Sequence, residues 1–387
     1  MLKDKVRTLA SGRRSAALLL ISVFLSLAEP HPVAAPPQPR NNWAVTVTAP
    51  LVQVGTSFNP RHAAYLGLDW RDAYRRLEAM HFKVIRISAY WDQIDDQGYE
   101  QLDWLVRESH ASGQPILLSV GMKALGWPEY YIPARLQPQV ADGGDVSQDA
   151  ALSTEVIDFT LATVARYRDV SEIVAWQVEN EAFNLAGPRR WHIGRGLLQK
   201  EIAAVKSLDG RPIVLNVFGH FNMLFDQTSR RAGFDLRSLL GFESNTAEAQ
   251  SLSLLGRDGI LGLDVYTEIG YRVLGQDGVS HAGSDWAAKA GHWRSVALRQ
   301  GKQAWITEAQ AEPWEASMAS YGEPRSTVAA DIQTRFSAIR AQGFTTILLW
   351  GSEYWLWRAQ VGDHAWLDAV KEILVANSAA ADLAKSA

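Results

Sequence analysis

The chain has 387 residues, of which 47% are hydrophobic and 21% charged, and its formal net charge at pH 7 is −4. This composition is typical of a globular protein with a large core, and neither the charge nor any basic stripe indicates nucleic acid as a partner. Because the chain contains no cysteine, disulfides, thiolate metal sites and cysteine nucleophiles are excluded. The nine histidines are scattered without a metal-binding spacing, so we predict neither a metal nor a cofactor.

The first residues, 1–28, predict a signal peptide or an N-terminal anchor. Basic residues that include Arg13 and Arg14 precede an apolar stretch, Ala16–Ala28, that is short for a membrane span. Residues 29–42 are rich in proline and predict a linker. We therefore expect an exported protein, periplasmic or secreted, and keep attachment to a membrane through an uncleaved N-terminal helix as the alternative.

The rest of the chain predicts one domain over residues 43–377, with a last helix at Ala365–Val375 and a flexible tail at 378–387. Short apolar or β-branched runs alternate with amphipathic helical segments, and eight runs predict strands: 51–58, 83–91, 115–121, 172–180, 211–219, 260–268, 303–308 and 345–350. This alternation favours the α/β class and a single-domain (β/α)8 TIM barrel. A doubly wound sheet also alternates, but no glycine-rich phosphate loop follows the first predicted strand.

Two predicted strands end in carboxylates. The stretch VAWQVENEAFN begins as an apolar strand and runs into Glu179, Asn180 and Glu181, and the seventh predicted strand ends in Glu308. In a (β/α)8 barrel the C-terminal ends of the strands form the active-site face. Cleavage of a glycosidic bond needs two opposed carboxyl groups there, one to donate a proton and one to attack the sugar or activate water.

These segments resemble glycoside hydrolase clan A, whose members are retaining (β/α)8 barrels. The resemblance rests on ENE at the end of the fourth strand and ITE at the end of the seventh. The sequence from about Gly55 to Trp357 is also similar to the cellulase family, glycoside hydrolase family 5. The similar segments are GTSFNPRHAAYLGLDW, VIRISAYWDQID, ILLSVGMKALGWPEYYIP, AWQVENEAFN and ITEAQAEPW. The resemblance implies a retaining enzyme that degrades a β-linked oligo- or polysaccharide by double displacement.

The resemblance also implies the roles of the carboxylates. Glu181 corresponds to the general acid/base, Glu308 to the nucleophile, and Asn180 to the asparagine that holds the sugar 2-hydroxyl. Where the family often has proline after the acid/base, this chain has Ala182. Glu179 is the rival to Glu181, although a structural pairing at the barrel rim is the expected role.

Further residues are expected around the nucleophile. By resemblance, Arg86 lies beside it, Tyr266 donates a hydrogen bond to it, and Trp350 forms the platform under the sugar. Three more tryptophans follow strand ends and are expected either to contact substrate or to pack in the core: Trp91, Trp127 and Trp314. Glu312, four residues after the nucleophile, is expected to be a solvated loop acid, with a hydrogen-bond acceptor in the cleft wall as the alternative.

The sequence leaves the glycan, the linkage and the choice between endo and exo cleavage open. A monomer is expected. The alternatives are an exo-acting β-galactosidase-like glycosidase of the same clan, a transglycosylase held by the N-terminal helix, and a catalytically silent barrel that binds polysaccharide.

Overall fold

The structure, a computed structural model, describes residues 51–222, 246–317 and 320–386. The predicted signal peptide or anchor and the predicted linker lie outside the described residues. Within the described ranges, no helix has both the length and the hydropathy that a membrane span requires.

The described residues contain ten strands, numbered here in chain order. They are β1 (Gln53–Ser57), β2 (Ile85–Ser88), β3 (Ile116–Val120), β4 (Ile173–Val178), β5 (Ile213–Gly219), β6 (Ile260–Val265), β7 (Glu268–Val273), β8 (Gln276–His281), β9 (Gln303–Gln310) and β10 (Thr346–Trp350). All except β7 and β8 are parallel and form a closed barrel in which β10 pairs with β1. The predicted eight-stranded barrel is therefore confirmed.

Helices follow most of the barrel strands. Those described are α1 (Pro60–Tyr65), α2 (Trp70–Glu78), α3 (Trp91–Gln97), α4 (Glu100–Ser112), α5 (Ala150–Tyr167), α6 (Arg195–Leu208), α7 (Ala247–Leu254), α8 (Trp286–Arg299), α9 (Ala329–Ala341), α10 (Ser352–Gln360) and α11 (Ala365–Ser386). The predicted end of the last helix at Val375 is wrong, because α11 continues to Ser386. Alanine-rich sequence has high helix propensity, which accounts for the longer helix.

The inside of the barrel changes from apolar to polar along the strands. Six apolar side chains form one buried cluster: Val84, Leu117, Ala175, Val214, Ile260 and Leu348. Successive side chains of a strand point to opposite faces, so positions two residues apart share a face. Two residues after members of this cluster come Arg86, Gln177 and Asn216, all buried and polar. The strand ends therefore present a polar layer above an apolar floor.

A hairpin that the sequence did not predict follows β6. The expected strand 260–268 ends at Val265, and β7 and β8 then pair antiparallel. The hairpin contacts the segment after β9, since the Gly270 N–H donates to the carbonyl of Trp314 at 2.6 Å. It therefore braces a loop at the C-terminal end of the barrel.

Candidate active site

The two predicted carboxylates meet at the C-terminal end of the barrel. Glu181 follows β4, and Glu308 lies in β9. Oxygens of Glu181, Glu308 and Asp264 lie within 4.8 Å of one another. Glu181 is 6% exposed and Glu308 is 3% exposed, so this pair of acids is held in a largely desolvated environment.

Glu308 is held by two donors, one in β2 and one directly after β6. The Arg86 guanidinium donates to Oε1 at 2.5 Å, and the Tyr266 hydroxyl donates to Oε2. Arg86 is fully buried and also donates to Ser57 Oγ at 3.0 Å. Burial and the nearby charge of Glu308 raise the pKa of Tyr266 well above its usual value, so its hydroxyl remains a donor. The guanidinium stabilises the ionised form of the glutamate, which is the form a nucleophile needs.

Glu181 has an environment that keeps it protonated. Burial raises its pKa to about 8, and the negative charges of Glu308 and Glu129 add to the rise, while the ammonium of Lys123 opposes it. The Asn184 amide donates to its Oε2 at 3.1 Å. At neutral pH most Glu181 side chains therefore carry the proton that a general acid donates.

Asn180 is fixed next to Glu181 by a chain of amides. Its Oδ1 accepts from Asn216 Nδ2 at 2.7 Å and from Gln177 Nε2 at 3.2 Å. Asn216 Oδ1 in turn accepts the Glu181 backbone N–H at 2.9 Å. The polar layer of the barrel therefore sets the orientation of both residues.

A cleft of about 650 Å³ opens above the two acids. The predicted residues Asn180, Glu181, Tyr266 and Glu308 line it, as do three tryptophans: Trp127, Trp314 and Trp350. Trp127 is 72% exposed and Trp314 is 39% exposed. Exposed flat aromatic faces beside a carboxylate pair suit the apolar faces of sugar rings.

Trp91 is placed elsewhere. It begins α3, is 3% exposed and stacks on Phe159 with ring centroids 5.3 Å apart. A substrate-contacting role for Trp91 is therefore contradicted, and the alternative of core packing is correct. The chain enters a helix directly after β2 instead of a loop, and the first turn of that helix faces the core.

Glu312 takes the alternative position, in the cleft wall. Instead of a solvated loop acid, it is a half-buried part of the cleft wall that accepts hydrogen bonds from Trp350 Nε1 at 2.8 Å and from the Tyr321 hydroxyl at 2.5 Å. Burial raises its pKa to about 7, partly offset by His62. Its bond to the indole fixes the ring plane of Trp350.

Glu179 does not face the cleft. It is fully buried, and its carboxylate accepts the backbone N–H groups of Met122 at 2.9 Å and Lys123 at 2.6 Å. On its other side lies the carboxyl group of Glu201, which is also buried. The structural role expected for Glu179 fits this position.

Three residues near the acids were missed: Asp264, Lys123 and Glu129. Asp264 lies inside the barrel, where it accepts from Asn216 Nδ2 and Thr307 Oγ1, both at 2.6 Å, and burial raises its pKa well above the usual value. Strand parity could have found Asp264, because it shares a face with Tyr266, two residues on. No sequence signal indicates that loop residues Lys123 and Glu129 reach Glu181.

The cluster of Glu181, Asp264 and Glu308 has carboxylate ligands that could suit a metal ion. However, the oxygens of Glu308 already accept from Arg86 and Tyr266, and those of Asp264 from Asn216 and Thr307. A cation here would displace these donors and lie close to the Arg86 guanidinium. The residues therefore do not fit a metal site.

Comparison with solved structures finds the same fold in glycoside hydrolases. A β-galactosidase from Rahnella sp. R3 matches with a TM-score of 0.55 and 14% identity, over 86% of this chain and 57% of that one. A β-galactosidase from the psychrophilic Marinomonas ef1 matches with a TM-score of 0.52 and 13% identity, over 86% and 61%. A GH5_18 protein from Streptomyces cattleya, solved in complex with GlcNAc, matches with a TM-score of 0.50 and 13% identity, over 84% and 80%.

The chain thus spans less than two thirds of either β-galactosidase chain. No family model and no curated protein sequence matches it. At such low identity the similarity shows the fold alone, which is the parallel eight-stranded barrel found among clan A glycoside hydrolases. Membership of family 5 in particular stays a prediction.

Proposed function

We propose that the protein is a retaining glycoside hydrolase that cleaves a β-linked glycan by double displacement, with Glu181 as acid/base and Glu308 as nucleophile. The proposal rests on the closeness of the two carboxylates, since one oxygen of each lies within 4.8 Å of the other, which fits the shorter spacing of retaining enzymes better than the longer spacing of inverting ones. Retaining enzymes place these groups about 5–5.5 Å apart, whereas inverting enzymes leave about 6.5–9.5 Å for a water molecule.

The surroundings of each acid match the step assigned to it. In the first step Glu308 Oε attacks the anomeric carbon while Glu181 gives its proton to the leaving oxygen. In the second step Glu181, now ionised, takes a proton from water, which attacks the same carbon and releases Glu308. Arg86 and Tyr266 hold the attacking carboxylate, and Asn180, which lines the cleft beside Glu181, donates to the adjacent sugar hydroxyl.

The finer assignment is a cellulase-like enzyme of family 5, supported by the sequence segments around both acids. A second candidate is an exo-acting β-galactosidase, which the fold similarity to the Rahnella and Marinomonas β-galactosidases favours. In both cases Trp350 is the platform under the sugar at the cleavage point, and Trp127 and Trp314 contact neighbouring units. We also propose that the enzyme acts outside the cytoplasm, on the basis of the charged and apolar residues 1–28.

The test is a panel of aryl β-glycosides with an activated leaving group, assayed with wild type, Glu308→Gly and Glu181→Ala. Wild type is expected to turn over at least one glycoside, and Glu308→Gly is expected to be inactive until azide is added. Azide should then give an inverted glycosyl azide with Glu308→Gly and a retained one with Glu181→Ala. The preferred aryl sugar identifies the glycone and separates glucoside, mannoside and galactoside hydrolysis.

Two outcomes would count against hydrolysis. If wild type and both variants bound polysaccharide equally and none turned over any glycoside, the protein would be a binding barrel. If products formed only when a sugar acceptor was present, it would be a transglycosylase. Product analysis with and without acceptor distinguishes these results.

A further inference from the structure

A buried lysine lies directly behind the proposed acid/base. The side chain of Lys123 is 0% exposed, and its ammonium lies 2.8 Å from the Glu181 backbone carbonyl, 3.1 Å from Glu129 Oε2 and 4.0 Å from Glu181 Oε2. A fully buried ammonium is costly unless anions and acceptors surround it. Here the two carboxylates nearest to it are the proposed acid/base and a residue of the cleft wall.

The turn after β3 holds Lys123 in this position. Gly121 adopts a positive φ of 119°, and a Cβ at this residue would overlap the carboxylate of Glu179. Without that Cβ, Glu179 fits against the turn and accepts the N–H groups of Met122 and Lys123. Glu179 therefore fixes the backbone from which Lys123 reaches Glu181, which accounts for a second glutamate beside the acid/base.

We propose that Lys123 is a positioning residue whose buried ammonium stabilises the carboxylate form of Glu181, so that one side chain can act as acid and then as base. The proposal rests on the function proposed above. Double displacement requires Glu181 to be protonated in the first step and ionised in the second. Burial and the negative charge of Glu308 favour the protonated form of Glu181, whereas the positive charge of Lys123 favours the ionised form.

The balance of charges changes during the reaction. The groups facing Glu181 are Lys123, Glu129, Glu308 and Asp264, and those facing Lys123 are Glu181, Glu129 and Glu179. When Glu308 becomes a glycosyl ester, it loses its negative charge, whereas Lys123 keeps its position. The repulsion that favoured the proton then disappears and the attraction to Lys123 remains, which favours release of the proton in time for the second step.

The test uses two variants with opposite expected effects. Lys123→Met removes the cation at nearly constant length, and Glu129→Gln removes a negative charge that repels ionised Glu181. The alkaline limb of kcat/KM for an aryl glycoside with a poor leaving group reports loss of the Glu181 proton. Since a neighbouring charge shifts a carboxyl pKa by roughly one to three units, the limb should move up by about one unit or more in Lys123→Met and down in Glu129→Gln.

A purely structural role for Lys123 would lower activity without moving the limb. An unmoved alkaline limb in an active Lys123→Met enzyme would therefore overturn the inference while the proposed function stood. If wild type turned over no glycoside, the proposed function would fall instead. Carboxyl ¹³C titration of glutamate-labelled protein, with the Glu181 resonance assigned by its loss in Glu181→Gln, measures the same shifts without a substrate. If Lys123→Met does not fold, Lys123→Gln, which removes the charge but keeps a donor for the Glu181 carbonyl, carries the test.

Discussion

At the scale of single residues, Glu181 and Glu308 are the same side chain placed in opposite electrostatic settings. Glu308 lies against a buried guanidinium and a phenol, whereas Glu181 lies in a desolvated position near other carboxylates. Because their surroundings differ in this way, two acids of the same type can give one site both a proton donor and an anion at neutral pH.

This difference predicts a pKa shift in a variant of the nucleophile. In Glu308→Gln the negative charge that helps raise the pKa of Glu181 is gone, so the pKa should fall below the value of about 8 by roughly one unit or more. Carboxyl ¹³C titration of the folded variant measures it. Glu315→Gln, which removes a carboxylate elsewhere in the cleft wall, is the control and should leave the Glu181 titration in place. An unchanged titration in Glu308→Gln would mean that the acids do not interact.

The Tyr266 hydroxyl gives a second prediction at this scale. Tyr266→Phe removes the donor to Glu308 but keeps the ring, which packs edge-on against Trp314 with centroids 4.9 Å apart. A hydrogen bond to a charged group contributes about 1.5–3 kcal/mol, so we expect kcat to fall roughly 10- to 100-fold with little change in KM, together with some loss of stability.

Tyr74→Phe is the matched control for that substitution. It also removes a buried tyrosine hydroxyl, bonded to Ser109 Oγ at 2.6 Å, but it lies in α2 and outside the cleft lining. This variant should lose some stability and keep kcat. Steady-state kinetics on the best aryl glycoside and thermal denaturation separate the two patterns, and equal loss of kcat in both variants would contradict the role of Tyr266.

At the scale of elements, the β7–β8 hairpin positions a wall of the cleft. Gly270 packs so closely on the segment after β9 that an added Cβ would lie 2.5 Å from the Ala316 nitrogen and 2.6 Å from the Trp314 oxygen. Gly270→Ala should therefore displace Trp314 and lower kcat/KM about 10-fold, mainly through KM, because small displacements of positioning groups have large effects.

The control for the hairpin lies in its other strand. In Gly278→Ala the three atoms nearest to the added Cβ all belong to the side chain of Tyr271. This side chain is 43% exposed, so it has room to turn toward solvent. We expect near wild-type kinetics from this variant. Initial rates over a range of substrate concentrations test both substitutions, and an unchanged KM in Gly270→Ala would show that the hairpin does not position the cleft wall.

The strands of this fold could be predicted from the sequence, whereas several loop contacts could not. Strands buried on both faces are nearly continuous apolar runs, so their order and the placement of Glu181 and Glu308 at strand ends could be predicted. The role of Trp91 could not, because a helix start and a loop look alike after β2. The positions of Lys123 and Glu312 depend on how loops fold back over the barrel, and these contacts leave no local pattern.

At the scale of the whole molecule, buried carboxyl groups inside and outside the site make stability depend on pH. Among the described residues, burial raises the pKa of six carboxyl groups above the unfolded values of 3.8 to 4.5: Glu78, Glu179, Glu181, Glu201, Asp264 and Glu312. Between these values and the folded pKa values of about 7 for Glu312 and about 8 for Glu181, the folded state binds more protons than the unfolded state. Stability from these groups is therefore full below about pH 4 and is lost as pH rises.

We therefore predict that the free energy of unfolding is highest near about pH 4 and falls toward about pH 8, by at most about 1.4 kcal/mol per pH unit for each proton. The pKa of His62 is raised by Glu353 despite burial, so His62 adds to the loss of stability with rising pH. Burial lowers the pKa of His220, so His220 opposes that loss between its folded and its unfolded pKa. Urea denaturation across this range measures the slope. Glu201→Gln should reduce the slope of unfolding free energy against pH by the contribution of about one proton. Gln199→Ala, at an exposed position on the same helix, should leave the slope unchanged. Stability that rose steadily from pH 5 to pH 8 would mean that these acids are ionised in the folded protein, and Glu181 could then not serve as the proton donor.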